Sequence, residues 1–140
     1  MEAKTFLSQI QKIDVMIQNK LYEIQMLKHK AFDISASAEE VKVQKSGNHS
    51  KMECIVVSYI DMENEFAAKI KMLQEQKNKI IDVIEQLPVL EYDFLHKVYV
   101  SGMSIYEVAE KYDRTYSWAT TIHARALKMV QKILDEREMK

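Results

Sequence analysis

Between positions 111 and 132 the bases Lys111, Arg114, Arg125, Lys128 and Lys132 stand against one acid, Asp113, a local charge of +4 in a chain of net charge -1. Cations gathered on one stretch can neutralise phosphates and release their counterions, the sequence-independent part of nucleic-acid affinity. The wider segment 88–140 holds eight bases and eight acids, so the excess is confined to this stretch. Among the bases lie Tyr116, Ser117, Thr120, Thr121 and Ala124. Helical i, i+3 and i+4 spacing puts these on an outward stripe, while Ala119, Ile122 and Ala126 point inward. Hydroxyls can bond base edges or phosphates and a tyrosine ring can reach a thymine methyl. Ser and Thr on a solvated outer face would look the same, and the stripe lacks Arg, Asn and Gln.

The elements that must position these residues are short helices. Leu90, Phe94, Leu95 and Val98 define one amphipathic helix, stopped at Ser101-Gly102 where glycine supplies a left-handed end. Ser104-Ile105-Tyr106-Glu107 has capping-box spacing and opens a second, with Ile105, Val108, Ala109 and Tyr112 inward. Asp113-Arg114-Thr115 is a tight connection, and a third helix is predicted from about Tyr116 to Leu134. Two helices joined by three or four residues, with small Ala109 at the close approach, read as a helix-turn-helix; a plain three-helix bundle shares the spacing. Trp118 either packs on the preceding helix or flanks DNA. Base-edge contacts are expected from Tyr116, Ser117, Thr120 and Thr121, and phosphate contacts from Lys111, Arg114, Arg125 and Lys128.

Upstream, apolar residues recur at steps of four and three. Phe6, Ile10, Ile13, Ile17, Ile24, Leu27 and Ala31, with polar Lys20 between, predict a helix from about Ala3 to Phe32. The stretch 33–50 loses the period and predicts a loop. Met52, Val56, Tyr59, Glu63, Phe66, Ile70, Leu73, Lys77, Ile80, Ile84 and Leu87 predict a second long helix, capped at Ser50 and ended at Pro88. Folded antiparallel about Val41, the hairpin would oppose the two polar exceptions, Lys20 and Glu63, which would set its register. Ile80, Ile84 and Leu87 then overshoot the first helix; a second subunit or the C-terminal region must cover them, and the expectation is a homo-oligomer formed there.

The expected fold is therefore all-α, with a long antiparallel hairpin over 1–87 and a three-helix DNA-binding domain over 88–140. With 2 Gly and 1 Pro in 140 residues, turn-rich all-β folds and phosphate-loop folds are disfavoured. The single Cys54 excludes an intramolecular disulfide, and its neighbours make it read as a small hydrophobe. The four histidines, His29, His49, His96 and His123, have no ligand spacing. No catalytic residues, metal site or cofactor are expected, and the chain reads as a non-enzyme with no membrane association, located in the cytoplasm.

The string from Gly102-Met103-Ser104-Ile105-Tyr106-Glu107-Val108-Ala109 to Ile122-His123-Ala124-Arg125-Ala126-Leu127 resembles sigma-factor region 4, a promoter-reading helix-turn-helix. Over about residues 3 to 134 the chain is also similar to phage and prophage late-gene regulators of low-GC Gram-positive bacteria related to ArpU and RinA. Members join a long helical N-terminal part, a stretch like Val43-Gln44-Lys45-Ser46-Gly47 and a sigma-like head. Region 4 usually carries Arg, Glu, Arg and Gln where this chain has Tyr116, Ser117, Thr120 and Thr121. The resemblance implies a phage-type transcriptional regulator of double-stranded DNA, with bacterial RNA polymerase as a further partner. Two other readings stay open: a coiled-coil adaptor that docks on polymerase or another protein, and a DNA-recognition subunit like small terminase subunits.

Overall fold

A computed structural model describes the backbone of residues 1–41 and 48–139 and the side chains of 1–33 and 53–139; it is all-α. The helices are α1 (Ala3–Val41), α2 (Asn48–Ile84), α3 (Val89–Leu95, continued by a π-helical stretch His96–Val100), α4 (Ile105–Lys111) and α5 (Tyr116–Glu138). The segment Val43–Gly47 expected in a loop lies outside the described residues. The remainder of the expected 33–50 loop is different: α1 continues to Val41 and α2 begins at Asn48. Ala36, Ala38, Glu39 and Glu40 are helix formers, so losing the heptad period does not end the helix. Ser50 is consequently inside α2 rather than its cap.

The chain divides into two compact units, Val15–Leu73 and Met1–Asp14 with Gln74–Lys140. This replaces the expected boundary at 87/88. Within the Val15–Leu73 unit, the Lys20 ammonium lies 4.6 Å from the Phe66 ring centre. Leu27 and Ala31 share a groove with Ile55 and Tyr59, so the two helices run in opposite directions. Lys20 does not meet Glu63. Its ion pair is with Glu23, 3.0 Å away on its own helix, while Glu63 lies beside Tyr59, whose hydroxyl is raised by desolvation and then by that carboxylate. Because α1 reaches Val41 and α2 starts at Asn48, the midpoint between them falls later than Val41, and Lys20 faces about one turn further along α2. Val56, expected on the seam, is exposed, and so is Cys54.

The other unit is built from both parts of the chain. Ile80, Ile84 and Leu87 are 5%, 0% and 8% exposed within a single chain, which removes the ground for assigning oligomerisation to them. They share that unit with other buried residues: Leu7 and Ile10 of α1, Val83 of α2, Leu95 of α3 and Val130 and Leu134 of α5. Gln131 of α5 clamps the start of α1. Its side-chain oxygen accepts the Ala3 N–H at 2.8 Å and its amide donates to the Met1 carbonyl at 3.1 Å, satisfying an unpaired donor of the first turn. Further along, Lys77 Nζ and Asp14 Oδ1 pair at 2.7 Å, tying α2 to α1.

Candidate nucleic-acid interface

Phe94, Val108, Ala109, Ala119 and Ile122 form the core beneath α4 and α5. Local chemistry fixes where both helices begin. Ser104 Oγ accepts the Glu107 N–H at 3.1 Å, and Thr115 Oγ1 accepts the Trp118 N–H at 3.1 Å. Upstream, Gly102 at φ 74 ends the π-helical stretch in the left-handed region. Between α4 and α5, the Arg114 N–H donates to the Ala109 carbonyl and the Asp113 N–H to the Glu110 carbonyl, both at 3.0 Å. With Asp113 at φ 53 this is a Schellman closure that uses an aspartate where glycine is usual.

The turn is anchored to α3. The Tyr112 hydroxyl donates to Asp93, and Lys97 Nζ holds both oxygens of that carboxylate at 2.6 and 2.8 Å. Burial works to raise the Asp93 carboxyl, yet the hydrogen bonds from Lys97 and Tyr112, with the charges of Lys97 and His96, hold it below the usual range. Burial, and then the bond and charge of Asp93, push Tyr112 up to about 12. Trp118 packs against Tyr112 and Phe94, with ring centres 5.5 and 6.4 Å away, so of its two readings packing is observed. The Arg114 guanidinium lies 5.6 Å from the Trp118 ring centre, which steadies it at the mouth of the turn.

Ser117, Thr121, Ala124 and Lys128 are all exposed and follow one another at helical spacing, so they make one row on α5. Tyr116, 55% exposed, flanks its start. Thr120 is half-buried at the side of the row. Both threonine hydroxyls donate to the same acceptor, the Ser117 carbonyl, at 2.9 and 3.0 Å. With their protons committed, they present lone pairs and methyl groups outward. Lys111 and Arg114 are exposed at the turn.

Arg125 departs from the expected phosphate set. Its Nη2 is 2.7 Å from Oε1 of Glu91, a carboxylate only 7% exposed on α3. Glu91 falls on the apolar stripe with Phe94, Leu95 and Val98, so its place as a buried polar exception is visible in the sequence, although no role was expected of it. His123, expected only not to be a metal ligand, packs inside the unit. That ring stacks on Tyr99 at 5.8 Å and shares a 2.9 Å hydrogen bond with its hydroxyl. Burial, and then the charge of Lys4, hold His123 below its ordinary value, while burial raises Tyr99.

Among the described residues no group of His, Cys, Asp or Glu could hold a metal ion, and no helix is long and apolar enough to cross a membrane. No protein-family model matches the chain, and no curated protein and no solved structure is significantly similar to it.

Proposed function

We propose that the chain is a DNA-binding transcriptional regulator of the phage type, with α4 and α5 acting as its helix-turn-helix. The observation that carries the reading is the exposed row Ser117–Thr121–Ala124–Lys128, with Arg114 and Lys111 at the near end. Small side chains let a helix approach base edges closely, and cations at both ends of the row suit the flanking phosphates. Lys111, Arg114 and Lys128 hold the head on the duplex, with Lys132 one turn beyond Lys128 on α5. Tyr116, Ser117, Thr120 and Thr121 meet the bases. The outward lone pairs of the two threonines suit amino groups in the major groove, and their methyl groups suit thymine. Single bonds of this kind discriminate weakly, so useful affinity comes from more than one head on one site.

A salt titration on specific and scrambled duplexes tests this. Lys128→Ala and Arg114→Ala should each weaken binding to every sequence and lower the salt slope by about one. Thr121→Ala should flatten discrimination by about 1 kcal/mol or less. If the lysine and arginine variants bind as the parent does, α4 and α5 are a protein-docking module and the adaptor reading takes over.

A further inference from the structure

On α2 the face turned to α1 is Tyr59, Glu63, Phe66, Ile70 and Leu73, all half-buried or buried. One residue further at most of these steps runs a second row: Glu53, Val57, Ile60, Asn64, Ala67 and Lys71, every one exposed. Val57 and Ile60 are 56% and 46% exposed. The steps are four, three, four, three and four, so this is a second coiled-coil seam, contained wholly in the Val15–Leu73 unit.

The row is self-complementary when read in the opposite direction. About a twofold axis between Ile60 and Asn64, bulky Val57 falls opposite small Ala67, Ile60 opposite Asn64, and Glu53 opposite Lys71. Each relation occurs twice, as a twofold interface requires. A parallel pairing in register would set Glu53 against Glu53 and Lys71 against Lys71, which like-charge repulsion disfavours. The Asn64 amides flank the axis, where a polar group at a seam position specifies register.

We propose that α2 is a homodimerisation helix, taking a second copy of the chain antiparallel along Glu53, Val57, Ile60, Asn64, Ala67 and Lys71. The inference stands on this face alone and holds whether or not α5 reads DNA.

Sedimentation equilibrium of the full chain without nucleic acid tests it, with helicity followed by circular dichroism. The parent should be a dimer, and Ile60→Asp should raise its dissociation constant at least about tenfold while leaving the helices intact. Glu53→Lys or Lys71→Glu alone should weaken the dimer roughly threefold or more, because each creates two like-charge contacts, and the double reversal should restore it. A monomeric parent, a dimer indifferent to Ile60→Asp, or a double reversal no better than the single changes would overturn the proposal.

Discussion

Arg125 and Glu91 meet at 2.7 Å across α5 and α3, joining a half-exposed guanidinium to a carboxylate that is 7% exposed. A cation in the basic stretch is thereby committed to neutralising an acid inside the head. Arg125→Ala should cost about 2 kcal/mol, less than a fully buried pair would lose because water reaches the arginine. Lys128→Ala should change stability by no more than about 0.5 kcal/mol. Glu91→Gln in the Arg125→Ala background should recover part of the loss. Urea unfolding of the four proteins checks this, and equal midpoints for the parent and Arg125→Ala would remove the structural role.

Asp113 occupies a left-handed conformation that costs most side chains about 1 to 2 kcal/mol. Asp113→Gly relieves that strain but gives the unfolded chain more freedom, for a net gain of about 0.5 kcal/mol. It also removes the single acid of the basic stretch. Thermal unfolding should shift upward and duplex binding should strengthen; a lower midpoint would show that the aspartate side chain itself supports the turn.

His123 is held below its ordinary 6.5 by burial and by Lys4, so the folded state keeps the ring neutral and unfolding lets it take up a proton. The neutral ring's contribution is full above about pH 6.5 and is lost as pH falls through the lower folded value. Tyr99, Phe94 and Lys4 are the groups that face it. Denaturation midpoints of the parent and His123→Gln, measured from about pH 7.5 down to about 5, should converge as the solution becomes acidic. Parallel pH profiles would refute the assignment. At the alkaline end Tyr112, pushed up to about 12, contributes fully below pH 10 and loses its contribution as pH rises through about 12.

The helix pair offers a test of register. A double-mutant cycle on Lys20→Met and Glu63→Leu should give no coupling, whereas Asp14→Asn with Lys77→Met should give about 0.5 to 1 kcal/mol, because that pair is partly shielded. Lys20→Met with Phe66→Leu should couple by about 0.5 kcal/mol through the ammonium–ring contact.

Features carried by a few neighbouring residues could be read from the chain. Ser104 caps α4, Gly102 ends the segment before it, and Ala119, Ile122 and Ala126 are buried as the helical period requires. Long-range pairings were less legible. The position of Lys20 depends on where two long helices reverse, and one turn of error there moves every partner. Ile80 and Ile84 are ordinary seam residues in sequence, and nothing local says that a single chain buries them in one unit with residues of α1 and α5. Of the candidate site, the exposed row of α5 was legible from its spacing, but the diversion of Arg125 to Glu91 required knowing which helix lies beside α5.

The bond from Ala3 to Gln131 spans 128 positions of chain. Contacts so remote in sequence carry the full entropy of loop closure before they return any stability, and they slow folding. Leu7 and Ile10 of α1 are buried in a unit whose other part begins at Gln74, so during synthesis they have none of their cover until the chain has passed that point. That unit is consequently a late product of translation, and a nascent chain halted before Gln74 would hold the apolar side of the opening turns of α1 for a chaperone to cover.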